Sequence, residues 1–328
     1  MNAAVLVVTL GLGLLVVPQA ALAQTPTKIP RIGILTPAAC PEDNPIAGFF
    51  LTGLRTRGYT PGHSVLLECR FSDKLDMEQF QGFASELVRL DVNIILAVSS
   101  TATQAVRQAT STVPVVALDL ETDPVASGLA ASLARPGGNI TGIFLDAHEL
   151  NGKWLELLRG VVPRLKGVAA LWDVTMDRAP LRATEAAARS LGIRLHVLAI
   201  RSPDELDAAF REARKARVDA VMLMQSPLTD IHGKKVAALA LQNRLPTIGM
   251  FPTFPSQGGL MSYGPDVRQL YVHTGSFIDR ILRGARPGQV PIERPTHFYF
   301  VVNRRTAKAL GLTISPALLL RADEVIDP

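Results

Sequence analysis

The heptapeptide VNIILAV at residues 92–98, followed directly by Ser99, Ser100, Thr101, Ala102 and Thr103, decides the fold. A short, continuous apolar run of this kind is a strand buried on both faces, as in a parallel sheet with helices above and below. The hydroxyl-rich stretch behind it ends the strand and opens a helix.

The same unit repeats on either side. Strands are expected at 31–36, 64–71, 92–98, 113–118 and 140–144, with helices at 46–57, 77–90, 101–109 and 124–134. Gly58, Gly62 and the Pro136-Gly137-Gly138 turn punctuate them. A helix at 149–161 opens a second series, with strands at 167–172, 193–200, 218–224, 246–250 and 259–262 and helices at 179–191, 203–216 and 231–243. Ser202, Pro203 and Glu205 read as N-cap, N1 and N3 of one of these helices. The tail adds an amphipathic helix at 265–284, a turn at 286–288, a strand at 297–302, a helix at 304–310 and an apolar end at 315–325. The fold class expected is therefore α/β, two doubly wound parallel-sheet lobes of similar size joined by a hinge. The division expected is 30–143 plus 265–288 for lobe 1 and 144–264 plus 289–328 for lobe 2. The hinge is expected near Phe144, Gly264 and Gln289.

The start of the chain sets the compartment. Residues 1–23 are apolar and end in Ala21-Leu22-Ala23, the small-residue pattern of an export signal cleaved after Ala23. The run from Ala3 to Val17 is shorter than the ~20 residues of a membrane span. The first basic side chain is Lys28, so an uncleaved anchor is the alternative. No Cys follows the cleavage point to carry a lipid. A periplasmic protein has no ATP or NAD(P)H at hand, which excludes most enzymes of this fold class.

The 328 residues are 48% hydrophobic, 19% charged and 5% aromatic, a globular composition with an aliphatic core. The net charge of +5 is scattered; Arg211, Arg214, Lys215 and Arg217 read as a solvated helix face, not a nucleic-acid site. The two cysteines, Cys40 and Cys69, have no Cys-x-x-Cys or Cys/His ligand spacing, so no metal is expected. In an oxidising compartment they can form one disulfide; two separate thiols are the alternative. Nucleophile-elbow, P-loop and His-Glu-x-x-His patterns are missing, the six His are dispersed, and His148-Glu149 has no second His one turn on. No catalytic residue and no cofactor is expected. Asn139-Ile140-Thr141 matches a glycosylation acceptor but reads as the start of a strand.

In open parallel sheets, ligands lie beyond the carboxyl ends of the strands, where the strand order reverses. That rule selects the loops 37–44, 99–103 and 119–123 in one lobe and 172–176, 225–229, 251–254 and 262–264 in the other. Ser99, Ser100 and Thr101 offer hydroxyls and free N–H groups to a ligand carboxylate, with an ordinary helix cap as the alternative. Asp119 and Glu121 are candidates for a ligand amine, while Asp123, before Pro124, reads as an N-cap. Trp172 offers a flat apolar wall with Asp173 beside it, or a packed Trp and a turn residue. Gln225, Phe251, Phe254 and Tyr263 complete the set.

From about residue 30 onward the chain resembles the ABC-transporter substrate-binding proteins of the tryptophan/tyrosine-binding type. The resemblance lies in Gly53-Leu54 to Gly58-Tyr59, in 84–88 (ASELV), 123–129 (DPVASGL) and 133–142 (LARPGGNITG), and in 258–264 (GGLMSYG) and 306–312 (TAKALGL). It implies the type I periplasmic-binding fold. It also implies a monomeric, non-enzymatic receptor that closes on a small solute, an amino acid or an aromatic or carboxylate-bearing compound, and delivers it to membrane permease subunits. Family members often carry a Tyr and an Arg where this chain has residues 248–254 with Gly249 and Pro252, so aromatic amino-acid specificity does not simply carry over. A periplasmic sensor feeding a membrane signalling partner is the alternative.

Overall fold

In the computed structural model, which describes residues 29–72, 76–145, 148–176 and 178–328, the chain forms two α/β lobes. The expected export segment, residues 1–23, lies outside the described residues. Lobe 1 contains β1 (Arg31–Thr36), α1 (Phe49–Arg55), β2 (Leu66–Phe71), α2 (Met77–Arg89), β3 (Ile94–Val98), α3 (Ser100–Ala109), β4 (Val115–Asp119) and β5 (Ile140–Phe144). Lobe 2 begins with α4 (His148–Val161), β6 (Gly167–Asp173), α5 (Ala179–Ser190), β7 (Arg194–Ile200), α6 (Leu206–Lys215) and β8 (Ala220–Leu223). It continues with α7 (Pro227–Ile231), α8 (Gly233–Gln242), β9 (Thr247–Gly249), α9 (Thr253–Ser256) and β10 (Met261–Pro265). The chain returns to lobe 1 as α10 (Val267–Leu282), then ends in lobe 2 with β11 (Phe298–Asn303), α11 (Arg304–Leu310), α12 (Pro316–Leu319) and β12 (Glu324–Ile326).

The first sheet has the order β2-β1-β3-β4-β5, all parallel. Its central strands are buried along nearly their whole length because α1 and α10 cover one face and α2 and α3 the other. The second sheet is larger, β12-β11-β10-β9-β8-β6-β7, and mixed. Here the expectation of two similar, wholly parallel sheets is corrected. The chain re-enters lobe 2 beside the carboxyl end of β10, so β11 runs back antiparallel, Pro265 pairing with Phe298. The expected apolar end becomes α12 and the edge strand β12, parallel to β11.

Three other expectations change. Residues 124–134 form turns instead of a helix: Asp123 caps one turn through the N–H groups of Val125 and Ala126, and Gly128 then takes φ +69°. The helix expected at 231–243 forms as α8, but the loop expected before it, 225–229, carries a short helix of its own, α7, separated from α8 by His232. At 203–216 a 3-10 turn precedes α6. Ser202 makes no side-chain cap, and Glu205 instead accepts the N–H of Arg201 at 2.9 Å.

Helices α1 and α10 cross with their backbones touching. A Cβ on Gly53 would lie 2.3 Å from the Val272 carbonyl oxygen, and one on Gly275 would lie 2.6 Å from the Gly53 carbonyl. Three passes join the lobes: β5 to α4, β10 to α10, and residues 290–297. The third is pinned to β5, where Phe144 N–H donates to the Glu293 carbonyl at 3.0 Å and Glu293 N–H to that of Gly142 at 2.9 Å.

Cys40 and Cys69 are joined, with Cα atoms 6.1 Å apart, so the loop after β1 is tied to the edge strand β2. The bridge spans 29 residues. Loop-closure entropy then predicts that Cys40→Ser with Cys69→Ser lowers stability by about 3–4 kcal/mol. Urea denaturation would check this; equal midpoints for the double variant and the parent would refute it.

Candidate functional site

The loops at the carboxyl ends of the two sheets face each other. In the second sheet the order reverses between β6 and β8, the strands that end just before Gln225 and at Trp172-Asp173. Glu121 from lobe 1 meets Asn151, Trp172, Met176, Pro180, Met224 and Gln225 around a closed cavity of about 20 Å³. That is room for a water molecule.

Strand β3 delivers Ser99 in a strained conformation, φ +90°, and its hydroxyl accepts the Ala102 N–H at 3.3 Å as the cap of α3. Thr103 Oγ1 donates to the Ser99 carbonyl at 2.8 Å. Ser100 N–H donates to Glu121 Oε2 at 2.7 Å. The anion position read from Ser99, Ser100 and Thr101 is thus filled by the protein's own carboxylate, because β3 and β4 are neighbours and their loops converge. A solute carboxylate would have to compete with Glu121 for the Ser100 N–H.

Asp119 closes β4 and is fully buried. Its Oδ1 accepts the N–H groups of Glu121 and Thr122 at 3.0 and 3.1 Å, whereas its Oδ2 has no partner. Burial, with the Glu121 charge adding to it, pushes the Asp119 carboxyl up to about 7. Glu121 is raised by burial too, against hydrogen bonds from Ser100 and Gln225 that favour its charged form. Asp230, on α7, is raised well above the usual carboxylate range by burial and by the Glu121 charge. Gln225 lies between: its Nε2 donates to Asp230 Oδ2 at 2.9 Å, and its side chain lines the cavity beside Glu121, whose charged form it favours. One amide therefore lies between a carboxylate of lobe 1 and one of lobe 2.

Trp172 is buried, its indole Nε1 has no partner among the described residues, and the Arg178 guanidinium stacks 5.3 Å from the ring centroid. Asp173 serves its own turn, Oδ1 accepting both the N–H and the hydroxyl of Thr175 at 2.9 and 2.7 Å. Phe251 lies apart from the Trp172 cavity, with Asp230 and Phe254 around a second void of about 10 Å³. Phe254 belongs to the core of lobe 2. Tyr263 is packed, stacked on Phe298 at 5.7 Å with its edge to Phe300. Its backbone carbonyl accepts the Trp154 indole N–H at 2.7 Å.

The structure thus brings together Ser100, Asp119, Glu121, Trp172 and Gln225, leaves Ser99 and Asp173 to local turns, and sets Phe251 and Tyr263 aside. Sequence reasoning missed Asn151 and Asp230. Asp230 stands five residues after Gln225 on the next helix, a spacing that could have flagged it. A larger concavity, about 660 Å³, lies along α10 and the pass at 293–297 and shares no lining residue with this cluster. Among the described residues no group of three His, Cys, Asp or Glu could hold a metal ion, and no helix is long and apolar enough to cross a membrane.

A family model described as ABC transporter substrate binding protein matches residues 31–326. The chain is 25% identical over 265 residues, 80% of its length and 75% of the relative's, to the tyrosine-binding protein of Clostridioides difficile (strain R20291). Among solved structures it is similar to a conserved domain protein from Vibrio cholerae, with TM-score 0.84, 22% identity, and 91% and 100% of the two chains covered. It is also similar to an ABC domain in complex with L-Trp from Streptococcus pneumonia, with TM-score 0.82, 24% identity, and 90% and 99% covered. A leucine binding protein from Thermotoga maritima matches at TM-score 0.58 and 13% identity, over 78% and 83% of the two chains. The two lobes have the type I periplasmic-binding architecture.

Proposed function

The chain belongs to the ABC transporter substrate-binding protein family, a family of binding proteins and not of enzymes, and from that premise we propose that it is an exported, periplasmic solute receptor. The receptor closes lobe 1 (30–143 with 265–288) and lobe 2 (144–264 with 289–328) on a small solute and presents it to permease subunits at the membrane. The solute sits among Ser100, Asp119, Glu121, Trp172 and Gln225, with its flat or apolar body on the Trp172 ring. An amino acid or related compound fits that setting, in keeping with the relatives named for tyrosine and L-Trp.

The observation that carries this reading is the link from Glu121 of lobe 1 through Gln225 to Asp230 of lobe 2, with Trp172 beside it. A solute can shift the open–closed balance only by binding the closed form better, and groups from both lobes around one cavity supply that difference.

A thermal-shift screen of residues 24–328 against amino acids, aromatic acids, amines and nucleosides tests it. A solute at 100 times its Kd should add about 2.7 kcal/mol of stability, a shift of several degrees. For the solute so found, Trp172→Ala should weaken binding about 10- to 100-fold, the roughly 1.5–3 kcal/mol of a buried apolar side chain. Trp172→Phe, which keeps the wall, should lose less. Titration calorimetry giving equal affinities for all three proteins would remove Trp172 from the site.

A further inference from the structure

The family fixes a receptor, not the charge of what it receives. We infer that the cleft selects for a protonated amine, held between Glu121 of lobe 1 and Asp230 of lobe 2 in the position now taken by the Gln225 amide, and that a carboxylate on the solute is dispensable. The inference rests on the receptor reading above and narrows it to one chemical class: amines on a flat, apolar body.

Four observations converge on it. The first is the placing of Glu121 and Asp230 on opposite lobes, with Gln225 donating to Asp230 at 2.9 Å and lining the same cavity as Glu121. An ammonium group offers the same donors with a full charge, so it would replace a neutral link by a charge-assisted one. The second is the filled end of α3: Ser100 N–H, the natural partner of a solute carboxylate, is already bound to Glu121 Oε2. The third is the Trp172 indole, nine-tenths buried, lining the same cavity as Glu121 and Gln225 with its Nε1 unpartnered. That N–H is a donor and an ammonium cannot meet it, so it calls for an acceptor on the flat body of the solute, with the amine turned toward the carboxylates. The fourth is the balance of charge. Glu121 lines the cavity, Asp119 and Asp230 lie near enough to feel its charge, and Arg178, stacked on Trp172, is exposed. Carboxylates held partly neutral by burial and by one another become charged when a cation arrives, so binding should release protons and strengthen with rising pH.

Matched pairs test the charge alone: tryptamine against indole-3-propionate, and tyramine against 4-hydroxyphenylpropionate, with tryptophan and tyrosine beside them, by titration calorimetry at pH 6 and 8. The amine of a pair should bind at least ~100-fold more tightly than the acid, and more tightly at pH 8. Glu121→Gln, which keeps an acceptor for Ser100 N–H, should cost the amine about 10- to 100-fold and should not weaken the acid. Asp230→Asn should act in the same direction. An acid that binds as well as or better than its amine would overturn the inference and leave the receptor reading standing. Binding by no member of the set, amino acids included, would overturn both.

Discussion

Gly142→Ala is expected to cost lobe 1 more than about 4 kcal/mol, enough to leave most of the chain unfolded or insoluble. Gly142 sits in β5 opposite Ala117 with φ +134°, a conformation that L side chains rarely adopt. An alanine Cβ there would lie 2.1 Å from the Ala117 carbonyl oxygen and 2.6 Å from its nitrogen. Both clashing atoms are backbone of the central sheet, so no rotamer change relieves them. The strand cannot swing outward either, because the Gly142 carbonyl accepts Glu293 N–H from the pass at 290–297. Gly138→Ala is the control: it lies four residues earlier, nothing stands within 4 Å of its added Cβ, and it should be near neutral. Circular dichroism during urea unfolding compares the two. Equal midpoints would show that β5 is far more plastic than its packing implies.

Asp119 governs the second large effect. Its carboxyl titrates near 3.8 in the unfolded chain and at about 7 in the native protein, raised first by burial and then by the Glu121 charge. Between those values the folded state holds the proton and the unfolded state does not, so stability falls as pH rises. The contribution is fully present below about pH 4 and lost by pH 7, and at 1.36 kcal/mol per unit it amounts to roughly 4 kcal/mol. Glu121 and Asp230, raised for the same reason, bend the curve the same way. Asp119→Asn keeps the acceptor for the Glu121 and Thr122 N–H groups and removes the charge. It should flatten the slope of stability between pH 5 and 8 and make the variant more stable than the parent at pH 8. Parallel curves for the two proteins would mean that Asp119 is already ionised throughout this range.

The lobes and most strands were legible because runs such as 92–98 are apolar without alternation, which only a doubly covered sheet accommodates. What misled was periodicity without punctuation. Leu129, Ala130 and Leu133 repeat as a helix would, yet Gly128 ends the turn that Asp123 starts. The direction of β11 was not legible, since it depends on where the 290–297 pass delivers the chain. Within the site, position was easier to read than duty. Glu121 was foreseen as a ligand group, but strand adjacency alone does not say that it turns back onto Ser100 N–H. Tyr263 follows the strand rule as well as Trp172 does. The pairing of β10 with β11 sets Phe298 and Phe300 against it, and such cross-strand partners come from distant sequence.

The touching of α1 and α10 at Gly53 and Gly275 has a consequence in time. Lobe 1 is made first, but the helix that seals one face of its sheet comes from residues 267–282, after almost all of lobe 2. Once β5 has been made, lobe 1 therefore has its full strand order, with the part of one face that α10 covers still open, and the narrow slot over Gly53 admits little besides its own late helix. The first lobe to be synthesised cannot lock until that late helix arrives, and lobe 2 waits in turn for β11 and β12. A late helix of this kind delays the closing of lobe 1 until most of the chain has been made.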